Sequence, residues 1–233
     1  MSIVSTPKSA AQQAPVALPQ DIPVFPLAGV LLLPRGQLPL NIFEPRYLAM
    51  FDDSLRTHRM IGVIQPRDFS TGLVSDAAPD RAELFQTGCA GRITAFEETD
   101  DGRYLVTLTG VSRFHLTEEL PLTNGYRRAR VSWAPFAADL AAPEGLDIDR
   151  LHLKELLRSY FTIEGLSCNW DSIDGASDDK LITALSMICP LEPSEKQALL
   201  EAACCRSRAQ MFMTMLEMAV HNDKGGCECS NRH

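Results

Sequence analysis

Hydrophobic and polar positions follow two different patterns along the chain. From Ile22 to about Pro135, short apolar runs are separated by proline, glycine and aspartate, which is typical of strands joined by turns. Beyond Pro143 the apolar residues recur at helical spacing. The sequence therefore predicts an α+β fold, with a β subdomain over residues 21–140 and a helical bundle subdomain over residues 146–221.

A hairpin or tight corner, and a second hairpin further along the chain, are predicted in the β subdomain. Pro34 and Gly36 occupy positions suited to a type I turn between apolar strands at residues 30–33 and 38–40. The turn residues 99–102 separate strands at 92–98 and 104–109. Further strands are predicted at residues 60–64, 111–116 and 126–133. Several short strands around one core favour a small, partly open β-barrel.

One helix is predicted within the barrel. Pro45 occupies a first helical position, where its fixed φ helps to start a helix. The helix should run to about Thr57 and bury an apolar stripe on one face. The residues of that stripe are Tyr47, Leu48, Phe51 and Leu55.

Four helices are predicted in the bundle. The first spans residues 147–163; the second is capped by Ser177 and stopped by Pro190; the third opens on a capping box at Ser194–Gln197; the fourth ends at Gly225-Gly226. In the first helix the expected apolar face comprises Ile148, Leu151, Leu156, Tyr160 and Ile163, and in the fourth Phe212, Met215, Leu216 and Ala219. Residues 1–20 are interpreted as a flexible leader, residues 69–81 as a surface loop and residues 222–233 as a flexible cysteine-containing tail.

Charge and cysteine content narrow the class of function. The formal net charge is −8, so the chain repels phosphate backbones and nucleic acid is not an expected partner. Seven cysteines form no disulfide framework and no signal peptide precedes them, which favours reduced thiols in the cytoplasm. An apolar run of transmembrane length is also lacking, so no membrane partner is expected.

The sequence offers little catalytic or cofactor-binding chemistry. No lysine follows a glycine, so the sequence has no phosphate-binding loop. The one Ser-x-x-Lys match, Ser177 to Lys180, is better explained as a helix cap. Cys227 and Cys229, with His221 and His233, offer soft metal ligands but only one closely spaced pair. The prediction is a non-enzyme with no catalytic residues, no cofactor and no metal, although metal binding by the tail stays open.

Three stretches resemble the N-terminal, substrate-binding domain of Lon proteases, especially its stand-alone bacterial members. The first contains Ile22–Leu27 and Leu38–Tyr47. The second contains Gly88–Ile93, Asp101–Val106 and Gly110–Phe114, and the third is Pro193–Leu200. The resemblance spans roughly residues 20 to 221. It implies a barrel of the pseudouridine-synthase-associated (PUA-like) type followed by a helical bundle, related to peptidase family S16 but without the ATPase and peptidase domains.

The expected function is non-catalytic binding of unfolded or partly folded polypeptide, or of another protein. The suggested contact residues are Leu31, Leu33, Pro34, Arg35 and Leu38, with core packing as the alternative for the leucines. Glu44, Arg46 and Tyr47 could form a recognition triplet, but a structural role is favoured. A small-molecule-binding PUA-like domain is the competing hypothesis, because a fold does not fix a function.

Overall fold

The computed structural model describes residues 18–67, 82–142 and 145–227. Within them lie six strands: β1 Asp21–Pro26, β2 Gln37–Ile42, β3 Met60–Ile64, β4 Thr87–Glu98, β5 Tyr104–Thr123 and β6 Tyr126–Ser132. The helices are α1 Pro45–Leu55, α2 Arg150–Ile163, α3 Trp170–Gly175, α4 Asp178–Ile188, α5 Pro193–Glu201 and α6 Cys205–Cys227, with a 3-10 helix at Ala134–Leu140. The predicted loop at residues 69–81 lies outside the described residues.

The strands form one six-stranded sheet with the order β2-β5-β4-β3-β1-β6. Only β1 and β3 pair in parallel; the other pairs are antiparallel. The long strand β5 also pairs with β6, so the hydrogen bonding returns to β5 and links five strands in a ring, with β2 attached outside it. The α+β class is confirmed. The six-stranded sheet is not a clean barrel, and it does not establish the predicted partly open, PUA-like type.

Two apolar cores hold the fold together. The smaller one draws buried residues from all five strands of the ring, including Ile22, Phe114 and Val131. The larger one combines the other face of the sheet with α1 and the helical bundle, and includes Phe51, Leu108 and Phe212. Since α2, α4, α5 and α6 all contribute to the larger core, the bundle packs directly on the sheet.

Buried polar side chains join the sheet to the bundle, and we call this set the polar seam. Its members are Gln65, Arg113, Asp139, Lys196, Gln197 and Arg208, each buried or nearly so. Arg113 on β5 pairs with Asp139 at 2.9 Å and donates to the carbonyls of Leu200 and Ala202. Gln65 donates to the Pro193 carbonyl, and Lys196 donates to the Gly29 carbonyl at 2.8 Å. Gln197 and Arg208 donate to backbone carbonyls as well, so each side chain of the seam has at least one hydrogen-bond partner, as buried groups require.

The predicted first hairpin is wrong in two respects. Residues 30–33 lie in an extended but unpaired segment, with Leu31, Leu32 and Leu33 almost fully buried. The turn that follows has Arg35 at φ 67°, with the Gly36 N–H donating to the Leu33 carbonyl. A positive φ at the third turn position defines a type II turn rather than type I. A continuous apolar run does not distinguish a strand from a buried segment, which explains the error.

The other predicted elements are closer to the structure. The hairpin of β4 and β5, the strand β3 and the start of α1 at Pro45 are confirmed. In the bundle, Ser177 is the N-cap of α4, although its hydroxyl does not cap the backbone. Phe212 and Leu216 of α6 are fully buried, as predicted.

Several helix details are wrong. The helix α2 begins at Arg150, capped by Asp149, and Leu151 is 76% exposed, so it is not on the buried face. The helix α5 begins two residues earlier than predicted from Ser194, with Glu192 as N-cap and Pro193 first. The helix α6 continues through the double glycine to Cys227, and α3 was not predicted at all.

Candidate functional site: an exposed groove on the sheet

Strands β2, β5 and β4 lie side by side at one edge of the sheet. Side chains alternate along each strand, so Leu38 and Leu40 of β2 face the core while Pro39 and Asn41 face outward. Leu105 of β5 is opposite Asn41 on one side and Glu97 of β4 on the other. The three residues form one row on the outer face.

A groove of about 500 Å³ crosses this outer face. It is lined by Pro39, Leu40, Asn41, Ala95, Phe96, Glu97, Leu105, Val106 and Thr107. Leu105 is 43% exposed and Phe96 is 40% exposed. Phe96 is opposite the buried Val106, so its ring faces the other side of the sheet, whereas Pro39 and Ala95 are exposed on the same outer face as Leu105. Adjacent apolar side chains in contact with solvent mark binding surfaces more often than isolated ones do. We call this feature the β2–β5–β4 groove.

Aromatic side chains continue the apolar surface beyond the groove. Phe43, directly after β2, is 62% exposed, and the Arg103 guanidinium lies 5.9 Å from its ring centre. The rings of Phe96 and Tyr104 meet edge to face at 4.8 Å. The Tyr104 hydroxyl donates to Asp52 at 3.1 Å. Partial burial is the main cause that raises the pKa of Tyr104, and the bond to Asp52 and nearby negative charge add to it. The Tyr104 hydroxyl therefore stays protonated and can keep its hydrogen bond.

The tip of the β4–β5 hairpin gives the end of the groove a negative charge. Residues 97–103 contain Glu97, Glu98, Asp100 and Asp101 against the single base Arg103. Arg103 pairs with Asp101 at 2.9 Å. A hydrogen bond from the Thr99 hydroxyl, with the charge of Arg103, lowers the pKa of Asp101 and keeps it ionised. The other three carboxylates have no ion pair within the described part of the chain.

The outer edge of β2 could pair with another strand, but Pro39 interrupts its row of N–H donors. Among the described residues β2 pairs only with β5. Pro39 lies at the middle of β2 and has no N–H to donate, a common feature of edge strands that resist pairing with another strand. Contacts to the groove therefore have to come mainly from side chains.

A second and larger cavity, of about 890 Å³, lies where β1 and β6 meet the end of α1. Asp53 at its wall accepts hydrogen bonds from the Tyr126 hydroxyl at 2.9 Å and from Asn124 at 3.0 Å. Tyr126 is the one aromatic residue in its lining, and the other side chains are mostly polar, including Arg128 and Arg130. The lining of this cavity is therefore mostly polar rather than apolar.

The contact residues suggested by the sequence do not form one surface. Leu31, Leu33 and Pro34 are buried, so the core-packing interpretation holds for the two leucines. Leu38 is half-buried against the larger core. Arg35 is exposed and donates to the carbonyls of Asp139 and Ala141. Of the set, only Arg35 and Leu38 could touch a partner in this conformation.

The possible recognition triplet has a structural role instead. Arg46 pairs with Glu44 at 2.8 Å and stacks over the Tyr47 ring. Tyr47 is only 7% exposed and its ring centre lies 4.3 Å from that of Phe25. The three residues thus fix the start of α1 against β1.

The surroundings of four nucleophilic side chains, Ser177, Cys89, Cys189 and Cys204, bear on whether these residues could act in catalysis. The Ser177 hydroxyl hydrogen-bonds Asp179 and lowers the pKa of that carboxyl. Burial raises the pKa of the Cys89 thiol, and raises that of Cys189 to about 12, so both stay protonated. Cys204 is different, because hydrogen bonds from Ser207 lower its pKa. However, Cys204 is exposed at the start of α6 and neither Ser207 nor Arg206 is a general base.

The described residues provide neither a metal-binding cluster nor a membrane-spanning helix. Within residues 18–67, 82–142 and 145–227, no group of three or more potential ligands could hold a metal ion. Cys229 and His233 of the tail lie outside those residues. No described helix combines the length and apolarity needed to cross a bilayer.

Residues 21–218 match the family described as the ATP-dependent protease La (LON) substrate-binding domain. The chain belongs to this family. It is 26% identical over 206 residues to Lon protease 2 of Myxococcus xanthus, a match that covers 85% of this chain and 24% of that protein. Identity is 23% over 206 residues to the Lon protease of Anaeromyxobacter dehalogenans, covering 23% of it. The chain therefore spans about a quarter of these curated relatives.

Solved structures support the same fold. A Lon N-terminal domain protein from Xanthomonas campestris superimposes with a TM-score of 0.55 at 22% identity, covering 83% of this chain and 97% of that one. The N-terminal domain of a Mycobacterium avium complex Lon protease gives 0.55 at 16% identity, covering 86% and 98%. The sequence resemblance to the Lon N-terminal domain is thereby confirmed.

Sequence reasoning did not single out the groove residues. The signal was present in β5, where Tyr104, Val106 and Leu108 alternate with Leu105, Thr107 and Thr109. If the first set faces the core, Leu105 is the one large aliphatic side chain left on the outer face. The exposure of Phe96 had no comparable signal, because β4 shifts register between Ile93 and Ala95.

Proposed function

We propose that this chain is a non-catalytic module that binds unfolded or partly folded polypeptide in the β2–β5–β4 groove. The observation that carries the proposal is the group of exposed apolar side chains on the outer face, Leu105 with Pro39 and Ala95, on a domain that belongs to the Lon substrate-binding family. Unfolded chains expose the aliphatic and aromatic side chains that folded proteins bury. A shallow apolar groove can bind such side chains without a fixed sequence.

The lack of prepared chemistry supports a binding role over an enzymatic one. Cys89 and Cys189 are buried and protonated, and Cys204 has no general base beside it. The PUA-like type of the β subdomain and a cytoplasmic location belong to the same proposal. Incubation with casein should accordingly give no cleavage products.

A direct test uses a labelled, reduced and alkylated protein that cannot fold, with binding followed by fluorescence anisotropy. Leu105→Asp places a charge in the groove and should weaken binding about tenfold or more, since central apolar contacts dominate such interfaces. The matched control is Leu122→Asp, because Leu122 lies on the same strand and is 52% exposed but is outside the groove.

Both outcomes of this comparison are informative. Wild type and Leu122→Asp should bind alike, and a photo-crosslinking residue at position 105 should label the unfolded protein. Equal weakening by the two variants would place binding elsewhere. No binding by the wild type at micromolar concentration would reject the proposal.

The competing proposal, a small-molecule site, is favoured by the cavity of about 890 Å³ beside Asp53. Half-buried Arg128 lines it, so a small anion is the ligand class that it fits. Thermal unfolding with and without a set of small carboxylates and phosphates tests it. A shift that Arg128→Gln removes would support this function, and no shift with any of them would reject it.

A further inference from the structure

The β2–β5–β4 groove combines apolar and acidic groups in one row. Glu97 lies directly across from Leu105 in the β4–β5 pairing, and directly opposed side chains in a sheet are in contact range. A ligand that covers Leu105 must therefore also approach the Glu97 carboxylate. The charge of that carboxylate bears on which polypeptides the groove accepts.

The acidic group extends beyond Glu97. Glu98 is opposite Tyr104, and Asp100 follows in the turn. All three carboxylates are exposed, and none has an ion pair with a described residue. Exposed charges separated by less than about 10 Å act together at ordinary ionic strength. The hairpin tip thus presents uncompensated negative charge beside the apolar surface.

We propose that the groove prefers unfolded polypeptide segments in which aliphatic or aromatic residues are flanked by lysine or arginine. The apolar residues of the segment cover Leu105, and the flanking cations lie against Glu97 and the neighbouring carboxylates of the hairpin tip. This inference rests on the proposed function and specifies its ligand class. Segments flanked by acidic residues are repelled, which gives selectivity through repulsion as well as attraction.

Three synthetic peptides test the preference. They share one apolar core and differ only in flanks of lysine, serine or glutamate. We expect the lysine-flanked peptide to bind about tenfold more tightly than the serine-flanked one, and the glutamate-flanked one to bind most weakly, since each exposed ion pair contributes modestly. Raising the salt concentration should reduce the differences among the three, because exposed charges are screened.

A variant without the hairpin carboxylates tests whether these groups cause the preference for basic flanks. The variant Glu97→Gln/Glu98→Gln/Asp100→Asn removes three negative charges and keeps Asp101, which pairs with Arg103. The matched control, Glu155→Gln/Glu164→Gln/Asp171→Asn, removes the same charge from exposed residues of the helical bundle. The hairpin variant should bind all three peptides alike, and the control should retain the order of the wild type. Thermal unfolding of both variants checks that they stay folded.

The outcomes separate this inference from the proposed function. Equal binding of the three peptides by the wild type would overturn the charge preference and leave the groove as a polypeptide site. A preference that the control removes as well would show that the net charge of the chain acts, which also overturns the inference. If no peptide binds but a second copy of the chain covers the groove in sedimentation experiments, both proposals fail.

Discussion

Leu105 and Arg113 lie on the same strand, β5, but in regions of opposite character. Arg113 belongs to the polar seam, where its side chain is 5% exposed and its charge is paired with Asp139. Leu105 belongs to the β2–β5–β4 groove, where an apolar side chain is 43% exposed. In the seam polar groups are buried and satisfied, whereas in the groove apolar groups face solvent.

The difference separates architecture from function. A buried charge requires partners or the fold loses stability, so the partners of Arg113 explain its presence. Nothing within the described residues covers Leu105, and leaving it exposed gains the folded state little. Under the proposed function, a bound polypeptide covers this apolar side chain and lies beside the unpaired carboxylates.

The largest expected effect is the loss of the Arg113 charge. Arg113→Met leaves the Asp139 carboxylate and the carbonyls of Leu200 and Ala202 without their donor. Breaking a buried pair on one side costs about 3–5 kcal/mol. Urea denaturation should show this decrease in the free energy of unfolding.

The control for this prediction is Arg130→Met. Arg130 pairs with Asp21 and Glu118, but its side chain is 49% exposed, and exposed pairs contribute at most about 1 kcal/mol. Equal destabilisation by the two variants would show that burial does not distinguish the seam from the surface.

The second effect concerns Gly110, which lies between the two regions of β5. Its N–H donates to the Gly36 carbonyl and its carbonyl accepts from the Arg35 N–H, both at 2.8 Å. A Cβ at this position would overlap the Leu33 carbonyl oxygen. Gly110→Ala should therefore destabilise the fold by about 1–3 kcal/mol, as other overpacked sites do.

Gly145→Ala is the matched control, because a Cβ there meets no atom within 4 Å. Its free energy of unfolding should change by less than about 0.5 kcal/mol. If Gly110→Ala unfolds at the same urea concentration as the wild type, the close approach of residues 33–36 to β5 is not required.

The third effect is a pH dependence in the seam. Burial alone would raise the pKa of Asp139, but hydrogen bonds from Arg113 and its charge outweigh burial and lower it. When folding lowers the pKa of a carboxyl group, the ionised group adds stability to the fold. This added stability is fully present above the unfolded pKa of about 3.9 and is lost as the pH falls through the folded pKa. Wild type should exceed Asp139→Asn in stability at pH 7, and the gap should narrow below about pH 4. A gap that stays constant down to pH 3 would contradict this linkage.

Sequence patterns predicted most elements because period and turn chemistry are local properties. The β4–β5 hairpin and the Pro45 helix start depend on residues close in sequence, and both are present. The seam was not predicted, since Arg113 and its acceptors at positions 200 and 202 are brought together only by the tertiary fold.

The groove was within reach of sequence reasoning only in part. Alternation in β5 placed Leu105 on the less apolar face, but solvent exposure depends on what covers that face. Residues 30–33 show the opposite case, because their apolar run suggested a strand with possible contact residues, and the structure buries Leu31, Leu32 and Leu33. Exposure is a property of the whole fold, so the contact residues inferred from apolar runs were mostly core residues.

The smallest expected effect on stability is that of Leu105→Asp. This variant tests whether the exposed side chain in the groove is dispensable for folding, in contrast to Arg113 in the seam. The side chain gives the folded state little buried area, so the free energy of unfolding should fall by less than about 1 kcal/mol, mainly through the lower β-propensity of aspartate. Leu122→Asp should cost a similar amount. Polypeptide binding should nevertheless be lost only in Leu105→Asp. A large loss of stability at Leu105 alone would mean that Leu105 is structural, as Arg113 is, and would remove the distinction between the two regions of β5.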